Sequence, residues 1–546
     1  MNHSIPLALL AADTDRTQDF VFESSRLPEI RGASRQLDDL NQEIKRIVEK
    51  AIAPYQKQAA SCQVIFAGGG GLLALVPQAI AADLVREIES LYPRETTLAT
   101  ITAAARPITA EMLEQGYPPN SDQAFGTLVR WAGTWLRQRK ESKPTVPFIP
   151  ALPHVERCVS CHQRPANPET RDTVWGPLCN VCYGKRRAAE RTYWFDQFRK
   201  ETGQPAAEIP KTLAEIGQAC AARPGHVGFI YLDGDSLGQV LETLPTMQAY
   251  HAFSQAIEAI ARKTVFDALK ILCPVEIEGD PERAERRVKI HPFEILTIGG
   301  DDIMLIVPAD HALPIASAIS QGFTAGMRAH LAKADVPSSV KTHTYTLSGG
   351  VVLADDHNPV RFLRNLAERL QDNAKVRLAK YKRDGDESAG KSPPEAPQMG
   401  YLDFQVLTGD MLELDVARLR EGYPYTLKLP NETRALRLVG RPYAANQVEV
   451  LWQGLQALRR KGFPNSQMTQ LTEALLRGRQ EATLFYLYQR ARDRTGAYDV
   501  LESLLRSLQN INARDPLPWR KVSDKDQSYS HETVLWDIAE LYGYVV

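Results

Sequence analysis

The chain has 546 residues, 43% hydrophobic and 24% charged, which at about 150 residues per domain predicts a multi-domain soluble chain of three or four units. Its 65 basic residues balance 66 acidic ones, so the whole molecule lacks the basic excess of a self-sufficient nucleic-acid binder. No stretch reads as a signal peptide or membrane span, which predicts a cytoplasmic protein without membrane contact.

Pro6 to Asp13 is an apolar run ending on an acid, the pattern of a strand. Ser34, with Gly32 and Ala33, is expected at a helix N-cap, where its hydroxyl either closes the cap or meets a nucleotide. Val64 to Pro77 then places four glycines between two apolar segments, a hairpin signal. Four consecutive glycines cost backbone entropy that a mere turn does not require. Gly68, Gly69 and Gly70 therefore either offer N–H groups to phosphate oxygens of a second nucleotide or serve only as a structural partner.

Cys158-Val-Ser-Cys161 and Cys179-Asn-Val-Cys182 form two Cys-x-x-Cys knuckles. Their spacing suits a closed, structural tetrahedral Zn²⁺ site. The other three cysteines, Cys62, Cys220 and Cys273, are isolated, and without a secretory signal a disulfide framework is disfavoured. Lys185-Arg186-Arg187 and Arg191 follow on a predicted helix and read as a solvated basic face ahead of an RNA contact.

Val227 to Asp235 is a second acid-terminated strand, running into Asp233-Gly234-Asp235. Some seventy residues on, Gly299-Gly300-Asp301-Asp302 sits between the apolar runs Phe293 to Thr297 and Ile303 to Val307. Paired glycines permit positive φ, so this reads as a tight hairpin with two carboxylates at its tip. A strand-end aspartate beside such a tip can hold divalent ions and leave positions open for water and phosphate, which implies phosphoryl or nucleotidyl transfer. Gly-Asp and Asp-Asp pairs also occur in ordinary turns, so the geometry decides.

Val64 to Pro77 resembles Glu294 to Pro308 almost position for position, which predicts an internal duplication. Gly70 and Gly71 stand where Asp301 and Asp302 stand in the second copy, so the first hairpin keeps its shape without those ligands. A helix from Ala312 to Ala332, a strand from Thr342 to Leu353 and a helix from Pro359 to Lys380 complete a β-α-β-β-α-β, ferredoxin-like module. Ser348 and Gly349 open the strand beside the hairpin, where a hydroxyl and a bare backbone can meet a base or ribose. Gly385 to Pro397 reads as a loop. Helical spacing returns over Asn446 to Arg460, Asn465 to Leu476, Glu481 to Arg492, Tyr498 to Asn510 and His531 to Leu541.

These features together resemble the large subunit of type III CRISPR effector complexes, the CRISPR polymerase-cyclase, whose two palm domains are related to GGDEF cyclases. The residues carrying the resemblance are Leu27 to Ser34, Gly299 to Asp302, Leu347 to Val351, Asn373-Ala-Lys375, Leu402-Asp-Phe404 and Arg441-Pro-Tyr443. The fold class expected is α+β: two ferredoxin-like palms, a zinc-binding insertion and a C-terminal helical bundle. Expected boundaries are 1–145 for the first palm, 146–220 for the zinc and linker unit, 221–385 for the second palm and 397–546 for the helical domain.

The resemblance implies conversion of ATP to cyclic oligoadenylate second messengers on target RNA binding, in antiviral defence. It implies Mg²⁺ or Mn²⁺ on Asp233, Asp301 and Asp302, with Asp235 a further candidate, and nucleotide held at Gly299, Gly300 and Lys375, the last matching the phosphate-contacting lysine of GGDEF cyclases. Implied partners are the other subunits of the complex, with guide and target RNA contacted mostly through them. Many members begin with an HD nuclease domain, whereas this chain opens on the first palm strand and contains no His-Asp dipeptide, so DNA cleavage is not expected. A standalone cyclase working without guide RNA and a non-catalytic scaffold are the alternatives.

Overall fold

The computed structural model describes residues 5–56, 61–117, 124–143, 154–172, 176–191, 193–273, 289–333, 338–384, 399–408, 413–428, 434–509, 517–522 and 528–546. The loop expected from Gly385 to Pro397 lies outside the described residues. In the N-terminal part, strands β1 (Leu7–Asp15), β2 (Gln63–Gly68), β3 (Gly71–Pro77) and β4 (Thr100–Ile108) form an antiparallel sheet of order β2-β3-β1-β4. Helices α1 (Leu27–Ile52) and α2 (Gln78–Thr96) make the crossovers. This is the ferredoxin-like order, in which the first strand lies centrally and is buried on both faces.

Alternation along β1 divides its side chains between two cores. Ala8, Leu10 and Ala12 join the core under α1 and α2, while Leu9 and Ala11 join one shared with the helix Ala124–Ser142.

The second module repeats the plan with β5 (His226–Gly234), β6 (Glu294–Gly299), β7 (Asp302–Pro308) and β8 (Leu347–Asp355), ordered β8-β5-β7-β6. Its crossover helices are α3 (Met247–Leu272) and α4 (Ala309–Lys333), and α5 (Val360–Asp384) covers the opposite face. The strand expected from Thr342 starts later, at Leu347, because Ser338–Thr342 form a short helix.

Two further strands extend this sheet. Leu402, Asp403 and Phe404 lie in β9 (Tyr401–Val406), parallel to β8, and β10 (Tyr443–Ala444) pairs with β9. Residues expected in the tail thus complete the palm sheet. Beyond them, helices Ala445–Arg460, Asn465–Leu476, Arg479–Arg492, Ala497–Gln509 and Leu535–Tyr542 pack around an apolar core. The tail is not wholly helical as expected, because Thr426–Leu427, Ala435–Arg437, Tyr529–Glu532 and Arg520–Lys521 form a small sheet. His531 is therefore a strand residue, and the last helix starts at Leu535, whose N–H donates to Thr533 Oγ1.

The two palms meet with pseudo-two-fold reciprocity: α1 of the first packs on β6 of the second, and α3 of the second on β2 of the first. The glycine tips abut, since a Cβ built on Gly69 would lie 3.6 Å from Gly299 O. Arg31 in α1 makes a two-pronged ion pair with the fully buried Glu294 of β6, its Nε 3.1 Å from both carboxylate oxygens. Burial pushes the Glu294 carboxyl above its usual pKa, and Arg31 opposes that shift. Arg31→Ala strands a buried charge and is expected to remove about 3–5 kcal/mol of stability. Calorimetry showing an unchanged melting profile would contradict this interface.

Candidate metal and nucleotide site

The candidate site lies where β5 ends beside the β6–β7 hairpin. Leu232 pairs with Ile303, and Gly299 pairs with Asp302, so Asp233 emerges opposite the hairpin tip. Gly300 turns that tip at φ 76°, a conformation that favours glycine. Gly234 has a role that sequence reading did not assign: a Cβ there would sit 2.3 Å from Asp301 Oδ2. The bare residue lets a carboxylate lie directly over the strand end. A glycine between two strand-end acids was the available signal.

Asp233 accepts from Lys375 Nζ at 2.5 Å and from Gln371 Nε2 at 3.4 Å, both on α5. Burial and then the Asp233 charge push the Asp301 carboxyl up to about 6. Burial, Asp233 and Asp301 push Asp302 up to about 7. Asp302 Oδ1 is buried without a hydrogen-bond partner among the described residues. Crowded carboxylates with an orphaned buried oxygen are a donor set that fits a hard divalent cation. Ligand atoms of the three acids do not all lie within 4.8 Å of one another.

Several candidate residues occupy other roles. Asp235 turns inward, accepting from Thr346 Oγ1 at 2.7 Å and Ser348 Oγ at 2.8 Å. Ser348 is fully buried, and its oxygen also accepts from Tyr401 N at 3.1 Å, so its hydroxyl ties strands together and is not presented to a base or ribose. Gly349 is a packing glycine: a Cβ there would meet Leu232 Cδ2 at 2.2 Å. Ser34 lies well inside α1 and is no N-cap, because the helix already starts at Leu27. Neighbouring Gly32 allows helix Asn180–Ala188 to approach, since its Cβ would sit 1.6 Å from Lys185 O.

The first palm repeats the same frame. Asp13 stands in the register position of Asp233, opposite Gly71, and accepts from Lys140 Nζ at 2.7 Å. Asp15 accepts from Thr100 at 3.0 Å and Thr102 at 2.7 Å, as Asp235 does from Thr346 and Ser348. Gly68 ends β2, while Gly69 and Gly70 turn the tip at φ 57° and 86°. The Gly70 carbonyl accepts from both the N–H and the hydroxyl of Thr14 at 2.9 Å.

The four knuckle cysteines are all buried, with sulfurs within 4.8 Å of one another. Cys161 Sγ and Cys179 Sγ are 3.9 Å apart, close to the roughly 3.8 Å edge of a tetrahedron with Zn–S bonds of about 2.3 Å. A hydrogen bond with Cys161 pulls the Cys158 thiol below its ordinary pKa, and Cys179 opposes that shift. This donor set fits Zn²⁺ with no open position. The following basic run is neither solvated nor available to RNA over half its length. Lys185 is fully buried against Phe20 O and Glu23, and Arg186 pairs with Glu29 at 2.6 Å. A third ligand-type group, Asp355, Asp356 and His357, lies at the far end of β8.

Residues 226–384 match the family profile of Cas10/Cmr2, second palm domain. The whole chain is similar in fold to a solved Csm1-Csm4 cassette in complex with pppApA, with TM-score 0.53 and 14% identity over 100% of this chain and 70% of that chain. It is also similar to the cassette in complex with cA3, with TM-score 0.54 and 14% identity over 99% and 70%. Csm1 in T.onnurineus gives TM-score 0.55 and 14% identity over the same shares. Among curated proteins none matches the sequence. The chain thus shares the Csm1 fold, and its second palm matches the Cas10/Cmr2 profile. No described helix is long and apolar enough to cross a membrane.

Folding raises the pKa of Asp301 and Asp302 above the ordinary 3.8, to about 6 and 7. The folded chain then holds more protons than the unfolded chain between these values, so metal-free stability falls as pH rises through about 4 to 7. Mn²⁺ at pH 7.5 should raise the melting midpoint by about 2–4 °C or more. Asp301→Asn with Asp302→Asn should remove the metal response and raise the metal-free midpoint; a persisting response would contradict the site. Cys158→Ser with Cys161→Ser should lower the melting midpoint and lose about one bound zinc per chain by elemental mass spectrometry. A zinc-free parent that ignores chelator would overturn the zinc assignment.

Proposed function

We propose that the chain is the catalytic large subunit of a type III CRISPR RNA-guided effector complex, acting in the cytoplasm as a metal-dependent nucleotidyltransferase that makes cyclic oligoadenylate from ATP. The observation that carries this reading is the acid site itself: Asp301 and Asp302 are pushed up by burial and by Asp233, Asp302 Oδ1 is buried without a partner among the described residues, and Lys375 donates to Asp233. A pure scaffold has no reason to crowd acids in this way. The Cas10/Cmr2 profile over the second palm, and solved structures similar in fold that hold pppApA and cA3, support this substrate class.

In this reading Asp233, Asp301 and Asp302 hold Mg²⁺ or Mn²⁺, which when bound neutralises charge on the phosphates and the leaving pyrophosphate. The chain's own residues position the reactants. The Gly299-Gly300 turn keeps side chains away from the approaching triphosphate, and Lys375 exchanges its Asp233 partner for a phosphate oxygen. A ribose hydroxyl of one nucleotide attacks the α-phosphorus of another, so no protein nucleophile is required. The glycine tip Gly68 to Gly70, abutting the second tip, serves the second nucleotide. Zinc on Cys158, Cys161, Cys179 and Cys182 is structural. Units 1–145, 146–220, 221–385 and 397–546 act as first palm, zinc unit, active palm and docking tail, with β9 and β10 belonging to the active palm. Other subunits carry most of the contact with guide and target RNA, in keeping with the balanced charge.

The test is incubation of the assembled complex with ATP, Mg²⁺ or Mn²⁺ and target RNA, with mass spectrometry of the products. Cyclic oligoadenylate should form only with target RNA, and Asp301→Ala with Asp302→Ala should abolish it while assembly persists. Lys375→Ala should raise KM for ATP about tenfold, the loss of one charge-assisted contact. Product from the chain alone would favour a standalone cyclase. No product from parent complex under any condition would overturn the enzymatic reading.

A further inference from the structure

Three sequence motifs have no place in the acid site: Asn373 in α5, Asp403 in β9, and Arg441 with Tyr443 at the entry to β10. They converge on one buried network. Asn373 Nδ2 donates to Asp403 Oδ2 at 2.7 Å, and Arg420 Nη2 donates to the other carboxylate oxygen at 3.0 Å. Arg420 and Arg441 both donate to the Phe404 carbonyl, at 2.9 and 3.0 Å. Arg441 continues to Glu540 at 2.7 Å and lies 3.2 Å from Asp537 Oδ1, and Tyr443 OH donates to Asp537 Oδ2 at 2.5 Å. The side chains of Asp403, Asp537 and Arg441 are wholly buried.

Buried ion pairs of this kind are a poor way to gain stability, since well-packed apolar residues of the same volume often do as well or better; in some proteins such pairs fix geometry instead. The element held here is α5. Gln371 and Lys375 reach Asp233 in β5, while Asn373 between them reaches Asp403 in β9. The helix also lies in near backbone contact with β8, because a Cβ on Gly350 would sit 2.0 Å from Ala367 O. Buried Leu363, Leu366, Leu370 and Ala374 seat the helix on the sheet, and the Asn373 hydrogen bond adds a directional contact at the turn that carries Lys375.

We infer that Asn373 and Asp403 are positioning residues for Lys375, fixing the rotation of α5 so that the ammonium faces Asp233 and the triphosphate. The Arg441, Asp537 and Glu540 end of the network anchors that setting to the C-terminal helix Leu535–Tyr542. This inference rests on the reading of Lys375 as a nucleotide contact, and the experiment separates the two. Equilibrium binding of a non-hydrolysable ATP analogue with Mn²⁺ is measured for the full chain as parent, Asn373→Ala, Lys375→Ala and the double variant.

Asn373→Ala should weaken binding about fivefold, and in the Lys375→Ala background the same change should cost less than about twofold. Should Asn373→Ala fail to fold, Asn373→Gln keeps a donor at altered reach and should show a smaller loss with the same dependence on Lys375. An equal loss in both backgrounds is general loosening and overturns the inference, as does no loss in either. A parent that binds no analogue overturns the nucleotide reading itself, and the inference with it.

Discussion

Mutual repulsion among Asp233, Asp301 and Asp302 is the constraint around which the second palm is arranged. Crowding these acids destabilises the metal-free fold: burial first, and then the repulsion from Asp233, raises the pKa of Asp301 and Asp302. The surroundings manage that repulsion. Gly234 removes a side chain to make room for Asp301, Lys375 and Gln371 reach in from α5 to Asp233, and Asp235 is diverted into a hydrogen-bonded tie between strands. In the proposed function this arrangement serves to hold a divalent cation.

The duplicated palm separates scaffold from chemistry. Both copies keep the Asp-x-Asp strand end, with the inner acid bonded to hydroxyls on the neighbouring strand and the outer acid met by a lysine from a helix C-terminal to the fourth strand. The hairpins differ, with Gly70 and Gly71 in one copy and Asp301 and Asp302 in the other. The inner acids therefore belong to the fold, and the hairpin acids are what the second copy adds. Reciprocal packing of α1 on β6 and α3 on β2, anchored by Arg31 and Glu294, brings the two tips together.

Much of this was legible from local pattern. Period-two apolar runs and glycine pairs located both hairpins, and knuckle spacing located the four cysteines that the fold brings together. Ser348 was misread because a hydroxyl beside glycines looks the same in sequence whether it faces a ligand or a strand, and the N-cap reading of Ser34 failed because its helix already begins at Leu27. The tie of Ser348 to Asp235 joins residues more than a hundred positions apart, and no local pattern encodes it. Lys185 shows the same limit, since its burial depends on Phe20 and Glu23 in another unit. β9 was assigned to the tail because its partner β8 precedes a long intervening segment.

The most direct test of the central claim is anomalous diffraction from crystals of the chain grown with Mn²⁺ and a non-hydrolysable ATP analogue. Manganese peaks should lie between Asp233 and the Asp301–Asp302 tip, with the triphosphate against Lys375. Manganese found only at Asp355, Asp356 and His357, or none on the three acids at full nucleotide occupancy, would contradict the account.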